Sequence, residues 1–543
     1  MAVFGGGVAG LTAAHELAER GFAVTVYERR AWGGKARSTQ VPDSATGGRR
    51  PLPGEHSWRL FAGFYQNIPD TMRRIRFGDN ARGVFDNLVA DEHLVFAREG
   101  DRQDFDLTLQ SVDADGLSPA AVATFFGGLL AGSGIPPEAV EHFAARLVVF
   151  LSSCDARRHG QWEHTTWTDF IGSDSYGVDY HRIIGKTFTE VVQASKAERT
   201  SALFSGHILE AMVYSMLGQG SNGPLVRSLN RPTNEAWIRP WLQTLRGHGV
   251  KLRLGREITG FQMRRGHISG ARIRHGHERS TVHADWYVLA VPVERARRLW
   301  SPAILAADPH LGKMWNLETG WMNGMKFFLS EERPLTRGHM FYVDAPWLVT
   351  SISQSQFWPV DFANTYGDGR VRESLSAIIS DWNAPGVLYG KPARECTPQE
   401  VIDEVWEQMK RHVNKPGRTP LLTDDLIVSW NIDPGMTLRG GRLISHDPLV
   451  LPTVGQGPDR PDVNTAIPNL ILTGDYLLSQ LEVANMEAAS FNGRRAANAV
   501  IEHSGTEVAQ CAAIETVRPP EWEPFKRMDE DRYQRGLPNV FDV

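Results

Sequence analysis

The stretch VFGGGVAGLTAAHELAERGFAVTVYERRAWGGKARS occupies residues 3–38. Gly5, Gly7 and Gly10 set the spacing G-x-G-x-x-G, and Glu28 follows eighteen residues after Gly10. The glycine spacing alone is a weak signal, because the chain carries it twice: GQGSNG at residues 218–223 fits as well. That second run follows HILEAMVYSML, an amphipathic helical pattern, and Pro224 cuts it off. With no strand feeding it and no acidic residue suitably placed beyond, it reads as a loop. The first run has the full context of a βαβ unit. AVF ends an apolar strand, and Leu11, Ala14, Leu17 and Ala18 form a helical stripe that Gly21 stops. FAVTVY then alternates as a second strand and delivers Glu28 at its carboxyl end. Gly5 suits the tight turn, Gly7 a close approach of backbone to pyrophosphate, and Gly10 close helix–strand packing. The helix start at Val8 and Ala9 turns its N–H groups toward phosphate, and Glu28 can accept from ribose hydroxyls. The stretch is a dinucleotide site.

The rest of the composition bounds the class. A chain of 543 residues supports two or three domains. With 41% hydrophobic and 22% charged residues it reads as a soluble globular protein. A net charge of -5 and the lack of any long basic run give no reason to expect nucleic acid. Cys154, Cys396 and Cys511 are scattered without metal-like spacing, which suits a reducing, cytoplasmic setting, and no metal site is expected. No signal peptide or membrane-spanning run is expected, which leaves room for peripheral membrane contact.

Past the second strand come Arg29 and then Gly33, Gly34, Lys35, Ala36 and Ser38, a flexible basic stretch near the same phosphates. Here the chain resembles the superfamily of FAD-dependent amine oxidases and phytoene desaturases, whose signature continues past the acidic residue into G-G-[RK]-x-x-S with one additional residue in this sequence. The second half of that signature lies at NLILTGDYLLSQLEVANMEAASFNGRRAANAV, residues 469–500. The resemblance implies that Gly474 and Asp475 meet ribityl or phosphate oxygens. It also implies that the helix opening at Met486, with Ala489, faces the flavin. In the intermediate part, GREITGF and HISGARI, it places Ile258 against the adenine. The stretch RRPLPGEHSWRLFAGFYQNIPDTMRRI, residues 49–75, is similar to a segment of actinobacterial phytoene dehydrogenase-like enzymes, which include those of polycyclic tetramate macrolactam pathways. The sequence departs from that segment at Ser57, Trp58 and Leu60. The resemblance makes Glu55, His56 and Arg59 flavin-site candidates, and His56 the candidate proton donor or acceptor.

The fold expected from this is α/β: a discontinuous Rossmann-like FAD-binding domain of the amine-oxidase type, with an inserted mixed α+β substrate domain and a helical lid. The FAD-binding parts are residues 1–63, 227–300 and 445–504. Residues 64–226 read as a mainly helical insertion, 301–444 as the substrate domain with strands such as GMKFFLS, WLVTSIS and ESLSAIIS, and 505–543 as an extension that wraps the surface or moves. Trp315, Trp321, Trp347, Trp358 and Trp382 are expected in the core or on an apolar pocket wall, with WMNGMKFF (residues 321–328) on that wall. The stretches RRHGQWEH, DYHR and RHGHERS read as solvated. The expected cofactor is non-covalent FAD, with NADPH at most a transient reductant since one glycine motif alone has βαβ context. The expected reaction is desaturation or reductive cyclisation of an apolar conjugated polyene, such as a tetramate macrolactam precursor or a carotenoid. An amine or amino-acid oxidase, and a redox-neutral flavin-dependent isomerase or cyclase, stay open.

Overall fold

The computed structural model describes residues 1–55, 59–110 and 118–542. Its organising sheet is parallel and five-stranded, in the order Lys251–Leu254, Thr25–Glu28, Ala2–Phe4, Tyr287–Leu289, Leu470–Leu472. Ala2 pairs with Thr25 on one side and Tyr287 on the other, and Tyr287 pairs with Leu470. The two central strands, Ala2–Phe4 and Tyr287–Leu289, are apolar and fully buried because both faces are covered, as parallel sheets require. The first helix, Val8–Glu19, makes the crossover between the two leading strands, and Leu11, Ala14, Leu17 and Ala18 are buried against the sheet. Gly21, at φ +83°, ends that turn of chain. The last long helix, Met486–Ser504, packs along the first: Gly493 comes so close that a Cβ there would sit 2.7 Å from the Ala9 carbonyl oxygen. An antiparallel sheet of Glu257–Arg264, His267–His275 and Glu278–Val282 leans on the same core through Phe261, edge-on to Phe4.

The second body is a seven-stranded sheet ordered Ile427–Ile432, Asn323–Leu329, Glu373–Ile379, Val349–Ser353, Gly338–Tyr342, His93–Ala97, Phe105–Thr108. Its last two strands come from the segment read as mainly helical, so that segment and the 301–444 segment share one sheet. Short strands of five and four residues, flanked by charge, gave too little alternation to be read. On one side of the sheet the helix Pro398–Val413 buries Val401, Val405 and Met409 against Met325, Phe327, Ala377 and Ile379. The remaining helices, among them Pro137–Ser152, Ala202–Met216 and the π-helix His181–Val191, form a separate cluster over the other side.

Several expectations are corrected. RRHGQWEH is no solvated loop: Arg157, Arg158, Trp162 and Glu163 are buried, and Arg158 binds Glu210 in a two-pronged pair. In DYHR, Asp179 anchors Arg98 and Arg102, whereas RHGHERS is an exposed hairpin. Trp347, Trp382 and Trp358 are buried, but Trp315 is 55% exposed beneath Arg297. The carboxyl-terminal extension is an integral part of the fold. Trp522 is fully buried, and Asp529 on the helix Glu523–Gln534 accepts from Arg157 and from the Cys154 amide. Among the described residues no helix is long and apolar enough to cross a membrane.

One buried carboxylate ties the two signature regions together. Glu487, in the first turn of the last long helix, accepts from the amides of Gln66, Asn67 and Ile68 and from Asn67 Nδ2. It thereby caps the helix Asn67–Arg74, whose own N-cap side chain makes no capping bond. Glu487→Ala strands three buried amide donors and should cost about 3 kcal/mol. Urea unfolding of the holoprotein measures it, and a loss below about 1 kcal/mol would contradict this capping role.

Candidate functional site

The glycine loop is built from backbone lying on backbone. Gly5 has φ +118°, and a Cβ there would stand 2.3 Å from the Ala290 carbonyl oxygen. A Cβ on Gly10 would lie 2.1 Å from Gly5 O, and one on Gly34 2.9 Å from Gly7 Cα. The second glycine pair therefore folds directly onto the first, pinned by Gly33 N–H donating to Gly6 O at 2.7 Å. Side chains at these points are excluded by geometry. Gly7 is the N-cap of the Val8–Glu19 helix, with no capping side chain and no acidic residue in the first turn. Its opening amides and positive dipole end are left for an anion. Glu28 is fixed beneath this loop, accepting from the amides of Gly6 (2.8 Å), Arg30 (2.7 Å) and Ala31 (3.2 Å). Two strands away, Ile258 is half-buried, and Arg256 N–H bonds the Glu28 carbonyl at 2.8 Å, so Ile258 lies beside Glu28.

The distant signature arrives at the same place. Gly474 (φ +155°) lets the chain turn against Tyr476, and Asn492 from the last helix donates to its carbonyl at 2.8 Å. Asp475 is half-buried, as are Met486 and Ala489, which share one face of that helix. Glu294 feels both Lys35 and Asp475, and burial raises its pKa. Among the described residues, both Glu294 oxygens, Thr473 Oγ1 and the Tyr476 hydroxyl are buried without a hydrogen-bond partner. Orphaned polar atoms beside a side-chain-free cradle fit a bound flavin dinucleotide, which would satisfy them.

The sequence-derived residues after the second strand close this cleft from the other side. Ala36 is buried, and Lys35 Nζ donates to the Pro448 carbonyl. Asp447, itself buried, pairs with Arg30 and Arg37 and lies 3.8 Å from half-buried Arg29. Arg59 reaches over the same turn, donating to the carbonyls of Lys35 (2.6 Å), Ala36 (3.3 Å) and Arg37 (3.4 Å). Burial lowers its pKa, with Glu55 opposing. Glu55 accepts from Thr233 N and Oγ1 through one oxygen, and among the described residues the other has no hydrogen bond. His56, Ser57 and Trp58 lie outside the described residues.

Sequence reasoning missed Lys326, although a single lysine inside the apolar run NGMKFFL was its signal. Lys326 is 1% exposed and donates to Gln354 Oε1 (2.6 Å) and Ser374 Oγ (3.2 Å). Burial holds its pKa down at about 8; Glu55 pulls it up and Arg59 pushes it down. It also missed Glu294, on the short helix Val293–Ala296, and Tyr476, Asp433 and Asp447, which sit in connecting loops; no local pattern reveals their partners. His15, Glu19 and His248 come within metal-ligand range of one another. However, Trp241 Nε1 donates to His15 Nδ1 at 3.0 Å, which fixes the proton on the nitrogen a metal would need.

Two outcomes follow from this geometry. Glu28→Ala should weaken dinucleotide retention by about 1.5–3 kcal/mol, read as the dissociation constant on reconstitution; an unchanged constant removes Glu28 from the site. Lys326 has a folded pKa below its unfolded value, so the fold bears the cost of its charge below about pH 8. That cost is relieved as the pH rises toward the unfolded value. Relative to Lys326→Met, the wild type should therefore gain on the order of 3 kcal/mol of stability between those limits. A pH-independent difference in denaturant unfolding would show that Lys326 is not held neutral.

Known proteins carry the same organisation. The model of an NAD(P)-binding Rossmann-like domain matches residues 3–75, and that of the flavin containing amine oxidoreductases matches residues 179–501. A carotenoid phi-ring synthase of Streptomyces griseus is 24% identical over 521 residues, covering 93% of this chain and 88% of that protein. A 15-cis-phytoene desaturase of Synechococcus elongatus is 22% identical over 523 residues, covering 92% and 95%. Among solved structures, cyclohexylamine oxidase from Brevibacterium oxydans superposes with a TM-score of 0.59 at 13% identity, covering 93% of this chain and 99% of that one. An oxidoreductase from Methanosarcina mazei gives 0.58 at 13%, covering 91% and 98%; both likenesses are of fold. The chain belongs to the flavin containing amine oxidoreductase family, within the superfamily of amine oxidases and phytoene desaturases, and is a flavin-dependent oxidoreductase.

Proposed function

We propose that the protein uses non-covalently held FAD to oxidise, or reductively cyclise, an apolar conjugated polyene. The observation that carries this reading is one face of the seven-stranded sheet. Strand pairing sets Gly324, Ile378, Thr350, Phe341, Phe96 and Phe105 side by side in a single row. Lys326, two residues along from Gly324, shares their face, and Met325 and Phe327 point to the opposite face under the helix Pro398–Val413. WMNGMKFF therefore gives the site alternate residues only. The row runs from the Lys326 corner, near Glu55 and Arg59, into an aromatic floor. There Phe96 lies 5.2 Å from Phe341 and 5.5 Å from Phe105, with Val191 of the helical cover packed against it. Such a strip suits a long, flat, apolar chain. An amine would need aromatic rings facing each other around a cation; these lie side by side, tilted 32° and 37°.

Bound FAD supplies hydride exchange with the substrate. The chain's part is to orient the polyene on the strip, exclude water, and hold protons. His56 is the residue we assign to give or take the substrate proton, with buried Lys326 setting the charge beside Glu55. NADPH, if it serves, binds transiently. The names of the two curated relatives, both carotenoid enzymes, support the substrate class.

The test mixes the purified protein anaerobically with a long polyene in vesicles, and separately with primary amines. Loss of the visible flavin absorbance with the polyene, or its oxidation after reduction by NADPH, is expected. Bleaching by amines alone, with peroxide release in air, overturns the reading. Acid precipitation should free all of the FAD, and His56→Phe with full FAD content should lose most turnover.

A further inference from the structure

At Thr350 within the strip, where the π-helix His181–Val191 meets the sheet, polar groups are buried without partners among the described residues. Thr350 is 1% exposed, Ser195 2% and Ser380 9%, and the hydroxyl of each has no hydrogen-bond partner. They come together through the fold. Thr350 pairs with Ile378 on the neighbouring strand, and Ser380 follows two residues later, just past the strand's end at Ile379. Lys196, next to Ser195, lies 3.5 Å from Asp381, next to Ser380. Val191 packs on Leu348, which precedes Thr350 by two residues.

Glu190 completes the corner. It is 3% exposed, and among the described residues nothing hydrogen-bonds to its carboxyl. Burial and then Asp381 raise its pKa to about 7, while Lys186 and Lys196 oppose and Glu198 adds to the rise. Near neutral pH it therefore offers both an O–H donor and an acceptor.

A hydrocarbon lying on the strip would leave all of these atoms without partners, which folded proteins rarely tolerate. An oxygen atom at the end of the chain would satisfy several of them at once. We propose that this corner is a subsite for an oxygen-bearing end group, a hydroxyl or carbonyl, so that the natural substrate is an oxygenated polyene and not a hydrocarbon. The inference rests on the polyene reading above. It adds a polar anchor at one side of the strip, next to Ile378 and Phe341, that fixes which stretch of the chain is presented for reaction.

The test compares retinol, retinal and the hydrocarbon of the same skeleton on the oxidised holoenzyme, by quenching of tryptophan fluorescence. Both oxygenated probes should bind about tenfold tighter than the hydrocarbon. In Thr350→Val combined with Ser380→Ala the ratio of oxygenated-probe to hydrocarbon affinity should shrink to about threefold or less, and Thr350→Ser should retain it. Equal binding of hydrocarbon and oxygenated probes overturns the subsite and leaves the polyene reading standing. A preference that survives the double variant places the oxygen elsewhere and also overturns it. Failure of all three probes to bind removes the polyene reading, and the subsite with it.

Discussion

Everything in the molecule is arranged around the near-contact of Gly7 with Gly34 and of Gly10 with Gly5. Those approaches bring two loops, a helix start and the strand carrying Glu28 into one cradle, and they hold only while no side chain intervenes. The last long helix then seats against the first through Gly493, with Met486 and Ala489 in its opening turn and Asn492 bonded to the Gly474 carbonyl beside Asp475. Glu487 extends the chain of dependence outward. By capping the helix Asn67–Arg74 it locks the end of the cofactor domain to the start of the insertion. The carboxyl-terminal extension reinforces that junction, since Asn67 exchanges hydrogen bonds with Ile514.

Charge is handled differently on the two sides of the cleft. Asp447 gathers Arg30 and Arg37, with Arg29 nearby, and so neutralises the basic turn that the sequence placed near phosphate. On the sheet side Lys326 is buried with only neutral hydrogen-bond acceptors and a distant carboxylate, which is why its charge is easily lost. A lysine kept poised in this way is suited to a site where charge changes during turnover, whereas a fully ion-paired one would resist it.

The cofactor half of the fold was legible because its constraints are local. A glycine spacing between a strand and a helix, and an acidic residue at the next strand's end, are consequences of backbone packing that one stretch of sequence records. Ile258 was reachable through family likeness alone, because nothing in EITGF states that Arg256 will bond to the Glu28 carbonyl. The half built on the seven-stranded sheet depends on register. Phe96, Thr350 and Phe341 form one row only after three separate chain segments pair, and a slip of one residue would turn each to the opposite face. Asp433 and Asp447 sit in IDPG and SHDP, which describe only a local bend, while their partners Asn323 and Arg30 lie 110 and 417 residues away.

This division of labour bears on where specificity resides. The back of the seven-stranded sheet belongs to a large core under the helix Pro398–Val413, so its residues are bound by close packing. The front aromatic patch belongs to a small cluster of Val191, Phe341 and Leu348 with Leu94 and Phe96 leaning on it. Phe96 leans as well on the helical core to which Phe105 belongs, so change is tolerated more readily at Val191, Phe341 and Leu348 than at Phe105, whereas the glycines of the cradle cannot change at all. An enzyme built this way keeps its cofactor chemistry while the strip and its polar corner set what lies against it. The buried, unpartnered hydroxyls of that corner are then best understood as a local cost in stability, kept because a bound molecule repays it.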